Sequence, residues 1–314
     1  MPRLYVVYDS NVYRTLGAPA FDAILALEAN HSVVAVASYF VISEFLAHIA
    51  DATDPSYAMS WGALRRLWRH CKQYDGSREL LRLIGDSEAQ VPRTLFGELP
   101  RGRDDQAHAY GNLVGRLIAQ GGPTWPEAQR ELTRNRQHVL ATEDMFVQQL
   151  FNHVVKGLEP AATSWADVRK AQVRPHILQK IKNGDGQRLV AQAIIAKAAN
   201  EIGRSLSVTE LQRLGQQVQE IFPVSVAFYD TLVHRIVRDG LDMSKYPRPN
   251  SLWDYQITFS IGKGARLLTR PIWLITNDSD MLAAAKHTGE TNVRNFEAYR
   301  DLLLLSPELF DAQL

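Results

Sequence analysis

The chain has a single cysteine, Cys71, in 314 residues. A disulfide scaffold and a cysteine-based zinc site are excluded, and a reducing compartment is expected. Net charge is nearly absent as well, with 35 Lys and Arg against 34 Asp and Glu. That balance fits neither a strongly basic histone-like protein nor an acidic disordered tail. No run approaches the roughly 18 to 20 apolar residues of a membrane helix. The opening segment Met1 to Asp9 reaches a charge too soon for a signal peptide. There is no Walker A motif, no internal repeat and no low-complexity tract. The nine histidines show no His-x-Glu-x-x-His spacing, which argues against a zinc hydrolase. What is there is ordinary globular composition, 46% hydrophobic and 22% charged, with length for one or two domains. A cytoplasmic protein with no membrane contact is expected.

The neutral total hides an asymmetry. Trp61 to Gly215 carries 23 Lys and Arg against 16 Asp and Glu, and the remainder 12 against 18. A basic middle inside an acidic shell suggests two functional parts, although uneven surface charge gives the same count.

The two ends have an α/β pattern. Leu4–Tyr8 is a short apolar run of the kind that forms a buried parallel strand. A helix is expected over Phe21–Ala29, a strand over Ser32–Ala37 and a helix over Tyr39–Ala50. From about Tyr57 to Glu220 the pattern is helical, with no convincing strand. The clearest helices there are Arg103–Ala119, Thr142–Val155, Gln187–Ile202 and Ser207–Ile221. Thr142-Glu-Asp144 and Ser207-Val-Thr-Glu210 look like helix starts, the second as a capping box. Phe222–Val226 is expected as a short edge strand, followed by a helix over Ala227–Asp239. Asn250 or Ser251 is expected to cap a helix running to about Leu268. Pro271–Thr276 reads as a strand, and Asn292–Arg294 as a last strand before a C-terminal helix. Strands alternating with helices predict an α/β fold with a parallel sheet covered on both faces.

Chemistry is carried by carboxylates. Asp9 and Asp278 follow predicted parallel strands, and in such sheets sites form beyond the carboxyl ends. Each also reads as a plain helix N-cap. Glu44 and Asp254 are lone charges in otherwise apolar helices, so each lies either on a solvated stripe or toward a polar site. Four acids brought together would repel and need a cation. Oxygen ligands without Cys or His suit Mg²⁺ or Mn²⁺, ions that activate water and stabilise in-line phosphodiester hydrolysis.

At these residues the sequence resembles the PIN-domain nuclease family. Val7-Tyr-Asp9-Ser-Asn11 is similar to that family's opening strand and Asp-Ser/Thr-Asn/Ser motif. Ser38–Phe45, with Glu44, resembles its second acidic helix. Asp254 resembles the acid opening its fourth acidic segment's helix. Leu274-Ile-Thr276-Asn-Asp278-Ser-Asp280 is similar to its strand and Thr-x-Asp-x-Asp motif. Asn292–Phe296 resembles its closing strand and helix. The fit covers roughly residues 1–50 and 222–304, which makes 51–221 an all-helical insertion into a domain formed by 1–50 and 222–314. The resemblance implies a three-layer α/β/α PIN-like fold and metal-dependent endonucleolytic hydrolysis, usually of RNA. It implies Asp9, Glu44, Asp254 and Asp278 as catalytic metal ligands for Mg²⁺ or Mn²⁺, with Asp280 as an accessory acid that joins the metal set. Asn11 and Thr276 match positions that orient Asp9 or hold a metal-bound water, the expected nucleophile.

The basic middle is the candidate nucleic-acid surface. Arg65, Arg66, Arg69 and Lys72 share one helical segment with Trp61 and Trp68, a combination suited to phosphates and unpaired bases. An amphipathic helix with Trp61, Leu64 and Trp68 as its core face explains the same pattern. Lys263, in Gly262-Lys263-Gly264 after Asp254, is either a phosphate contact or a helix C-terminal lysine. His48, one turn after Glu44, either borders the site or is a part-buried helix histidine. The expected activity is therefore a metal-dependent ribonuclease in RNA processing or as a toxin or defence effector. A catalytically inactive PIN-like scaffold and a DNA-directed nuclease are the alternatives. A dehalogenase-like phosphatase needs a second Asp two residues after the first, where this chain has Asn11. An inhibitor or effector protein partner and a homodimer stay open.

Overall fold

A computed structural model describes residues 3–245, 251–263, 266–267 and 270–313. Asn250, Gly264 and Leu268, named above, lie outside the described residues. The fold is mixed α/β around a small parallel sheet. Its strands are β1 (Leu4–Tyr8), β2 (Val33–Ala35), β5 (Arg266–Leu267), β6 (Arg270–Ile275) and β7 (Val293–Arg294); a separate hairpin pairs β3 (Lys72–Asp75) with β4 (Arg78–Leu81). β1 is central, parallel to β2 on one side and to β6 on the other. β7 adds to β6 in parallel, and the two-residue β5 pairs with β6 antiparallel. All five β1 residues and the last four of β6 are buried. A strand covered on both faces reads as an unbroken apolar run, which is what Leu4–Tyr8 does.

The register between β1 and β6 positions the site. Val7 lies opposite Leu274 and Tyr8 opposite Ile275. The Asp9 amide then donates to the Ile275 carbonyl at 2.9 Å, so Asp9 and Thr276 leave the sheet side by side. Asp9 caps the Ser10–Thr15 helix, and Asp278 caps the Ser279–Thr288 helix. The Tyr39–Ile49 helix, capped by Ser38, buries eight of its eleven residues.

Four sequence expectations are corrected. The middle does contain strands. β3 and β4 are joined by Gly76-Ser77, with Gly76 at φ +60°, the Gly-first pattern of a two-residue hairpin. These strands are polar and largely exposed, so they lack an apolar signal. Thr142 does not start a helix, because Pro126–Gln149 already runs through it and continues into a π-helical turn over Leu150–Val155. Proline fits a first helical position, and Pro126 sets the true start. Phe222–Val226 is not a strand; it opens the Pro223–Asp239 helix, ten of whose residues are buried. A short apolar run cannot distinguish a buried strand from a buried helix. The helix from Ser251 ends at Ile257, followed by a 3-10 turn over Thr258–Ile261. Gly262, which follows the turn, passes against Phe222, where an added Cβ would lie 2.7 Å from the ring.

The apolar core is continuous from Leu4 to Phe310 and includes Leu64, Leu67 and Trp68 of the Tyr57–Cys71 helix and Val190 and Ile195 of the Asp185–Glu201 helix. The middle is therefore packed into the same core as the two ends. Past β4, Leu83 bridges to Ala37, with the Ala37 amide donating to Arg82 at 2.8 Å.

Beneath the sheet lies a buried polar network. Glu28 accepts from the Tyr8 hydroxyl at 2.7 Å, the Tyr299 hydroxyl at 2.8 Å and His70 Nε2 at 2.5 Å. The other ring nitrogen of His70 faces the Tyr13 hydroxyl at 2.9 Å. Burial and the Glu28 charge push both Tyr8 and Tyr299 well above the usual phenol range, so both stay protonated donors. Four elements meet at this carboxylate, including the 57–71 helix of the middle, and Tyr13 brings a fifth to the network through His70. Glu28→Ala would strand three buried donors and is expected to cost about 3–5 kcal/mol. The urea midpoint at unchanged m-value checks this; a loss under about 1 kcal/mol would show that the network does not hold the fold together.

Candidate metal centre

Asp9 is 2% exposed and fully engaged. One carboxylate oxygen accepts from the Ser10 amide at 2.6 Å. The other accepts from Asn11 Nδ2 at 2.7 Å and Thr276 Oγ1 at 2.8 Å. Thr276 Oγ1 in turn accepts from the Asp278 amide at 3.0 Å, and Asn11 Oδ1 accepts from the Asn277 amide at 3.1 Å. The two motifs are thus stitched together across the paired ends of β1 and β6. Asp278 accepts from the Met281 amide at 2.7 Å.

A small cleft opens here, lined by Asp9, Phe40, Val41, Glu44, Trp253, Asp254 and Ile257. It brings Asp254 to Asp9 and Glu44, which lie 245 and 210 residues earlier in the chain. Asp278 does not line the cleft, but its charge acts on both Asp9 and Asp254. Burial is the first cause pushing Asp9 up to about 7, with Glu44 and Asp278 adding to it against the bonds from Thr276 and Ser10. Burial also holds Asp254 well above the usual carboxylate range, followed by the charges of Asp9, Glu44 and Asp278; Arg14 opposes them.

Glu44 is met by Arg14, with Nη1 2.9 Å from Oε1. Arg14 went unnoticed in the sequence, where nothing marks it as facing a residue thirty positions on. Asp280 pairs with Arg235 at 2.5 Å, and His48 with Asp54 at 3.1 Å. The basic candidates are largely used within the chain. Arg66 Nε donates to the Tyr13 carbonyl at 2.7 Å, Arg69 pairs with Asp22 at 2.6 Å and Lys72 with Glu79 at 2.7 Å. Arg65 and Lys263 are exposed.

The short helix carrying Asp254 is gripped from the middle at three neighbouring residues. Trp253 Nε1 donates to Glu143 at 2.8 Å. The Tyr255 hydroxyl donates to Glu88 at 3.0 Å, and Glu88 is itself paired with Lys197. Ser87 donates to the Gln256 carbonyl at 2.8 Å. Nothing in the sequence marked any of these partners as reaching the Asp254 helix.

Among the described residues, no group of three or more His, Cys, Asp or Glu side chains is placed so that it could hold a metal ion as it stands. The cleft acids are instead turned to protein donors, Asp9 to Ser10, Asn11 and Thr276, and Glu44 to Arg14. The donor set still suits a hard divalent cation. It is all oxygen, and burial makes its excess negative charge costly. Comparisons with protein-family models, curated proteins and solved structures found no match to this chain.

The raised acids have a stability consequence. Between about pH 4 and the folded value of about 7, folded Asp9 holds its proton more tightly than the unfolded chain. Its contribution to stability therefore falls as pH rises through that window. Asp254→Asn, which removes one repelling charge, is expected to melt about 2 °C or more above the wild type at pH 8 without divalent ions. The gap should narrow toward pH 4. Equal melting midpoints at pH 8 would remove repulsion from this account.

Proposed function

We propose that the chain is a PIN-like, metal-dependent ribonuclease, built as an α/β/α nuclease fold with the largely helical 51–221 region inserted into it. The observation that carries this reading is the convergence of Asp9, Glu44 and Asp254 on one cleft at the carboxyl end of a parallel sheet, with Asp278 close enough to act on two of them. Three acids from three separate segments arriving at one cleft, with a fourth acting on two of them, are expensive to assemble without a cationic ligand.

Asp9, Glu44, Asp254 and Asp278 would hold Mg²⁺ or Mn²⁺. When bound, such an ion supplies an activated water and neutralises charge on the phosphodiester. The chain's own residues do the positioning. Thr276 and Asn11 fix the Asp9 carboxylate, and Thr276 ties it to the backbone of Asp278. Glu44 and Asp254 face Asp9 from two helices, so the group is held from three directions. Phe40, Val41 and Ile257 line the cleft with apolar surface, which lowers the local dielectric and strengthens every charge interaction there. No nucleophilic side chain is required. Asp280, occupied by Arg235, is assigned a supporting rather than a ligating part. RNA is the preferred substrate class on the family resemblance; the acids themselves do not read the 2′-hydroxyl.

The test uses structured and single-stranded RNA and DNA with Mn²⁺, Mg²⁺ or EDTA. Cleavage is expected with either metal and not with EDTA, and Asp9→Asn and Asp254→Asn are each expected to lower it about 100-fold or more. Binding without cleavage, unaffected by both substitutions, would favour the scaffold reading. Cleavage of DNA alone would redirect the substrate.

A further inference from the structure

Arg14 stands at the edge of the acidic cleft, paired with Glu44, as a cation supplied by the chain itself. Its side chain and that of Glu44 are only 13% and 14% exposed. One nitrogen, Nη1, meets Glu44, but Nε and Nη2 are buried with no hydrogen-bond partner. The guanidinium lies over the Phe45 ring, 5.4 Å from its centroid. A guanidinium carries five N–H donors, and orphaning some of them inside a protein is costly. Arg174 and Arg294 each leave only Nε buried and unpartnered, whereas Arg14 leaves two of its three nitrogens so. What offsets the cost is the field of the acids. Arg14 is the positive charge that opposes Asp9, Glu44 and Asp278 at Asp254.

The placement is specific. Arg14 sits on the Ser10–Thr15 helix, whose cap is Asp9 itself, and reaches across to Glu44 on the Tyr39–Ile49 helix. It therefore ties the helix that Asp9 caps to Glu44, another of the acids assigned to the metal. It is also too covered to meet a substrate phosphate without first leaving Glu44.

We propose that Arg14 is a built-in counter-cation that holds Glu44 and competes with the divalent ion for it. This rests on the metal-dependent reading above. Arg14 acts through Glu44, so it is a positioning residue and not a catalytic one. It neutralises the acids when the ion is absent and weakens the ion's binding, setting the concentration at which the site fills.

The experiment is calorimetric titration of Mn²⁺ into the full chain, its Arg14→Gln variant and its Arg14→Lys variant, without nucleic acid. Removing a unit positive charge a few ångströms from a divalent ion is expected to tighten Mn²⁺ binding about ten-fold or more in Arg14→Gln. Arg14→Lys, which keeps the charge, should stay near the wild type. The rise in melting midpoint caused by Mn²⁺ should be larger in Arg14→Gln than in the wild type. Wild-type binding with equal or weaker binding by folded Arg14→Gln would overturn the inference and leave the metal site standing. If neither protein binds Mn²⁺, the metal reading fails and the inference falls with it. Should Arg14→Gln not fold, Mg²⁺ titration of the wild type followed by NMR decides. The Arg14 Nε–H resonance, assigned by its loss in Arg14→Lys, should move together with the Asp9 amide. Movement of Asp9 alone would overturn the proposal.

Discussion

The in-register parallel pairing of β1 with β6 is the constraint from which the rest of the cleft follows. Once Val7 faces Leu274 and Tyr8 faces Ile275, the two strands must end together, and the first polar residues after each must meet. Asp9 then has Thr276 beside it, and the Thr276 hydroxyl sits between Asp9 and the Asp278 amide. A slip of one residue would turn every side chain of β1 to the other face. The buried Leu4 and Val6 would exchange faces with Tyr5 and Val7, and Asp9 would be carried off the Thr276 hydroxyl. The apolar run therefore sets the geometry of the acids as firmly as any contact the acids make.

The same strand end shows two treatments of a buried carboxylate. Neighbouring strand residues point to opposite faces. Tyr8 gives its hydroxyl to Glu28, which is surrounded by two phenols and an imidazole. Asp9, one residue on, lies among other acids. The first arrangement satisfies its charge with protein donors and binds five elements together. The second leaves charge in excess, with Arg14 as a cation at its edge. Groups poised this way concentrate at working sites, because a fold gains nothing from repulsion that a ligand does not relieve.

Much of the fold was legible because it obeys simple periodicities. Leu4–Tyr8 and the 272–275 part of β6 announce themselves as buried apolar runs, and Ser207 with Glu210 forms the capping box its spacing implies. The failures also have physical causes. The 72–81 hairpin is polar and exposed, so only its Gly76-Ser77 turn marked it. Thr142 resembles a cap, but a cap signal inside a helix that Pro126 has already started is overridden by propagation, which is cheaper than a second nucleation. The four site acids were visible as lone charges next to strands or in apolar helices. Arg14, Glu28, Glu88 and Glu143 were not, because each matters through a partner distant in sequence, and one chain without its fold does not pair them.

Those distant partners change what the middle region is for. The Ser251–Ile257 helix has seven residues, too few to be stable alone in water. Its neighbours supply what it lacks: Glu143 takes the Trp253 indole, Glu88 takes the Tyr255 hydroxyl, and Ser87 bonds the Gln256 carbonyl. Glu88 is in turn held by Lys197 from another helix of the same region. Asp254 thus reaches the cleft on an element that residues 87, 88 and 143 keep in place. A segment that merely collected substrate would have no reason to bond three neighbouring residues around an acid of the site. A displacement of the 126–155 or 185–201 helices would be passed to Asp254 through bonded side chains, which makes the middle part of the acidic cleft's framework as well as its surroundings.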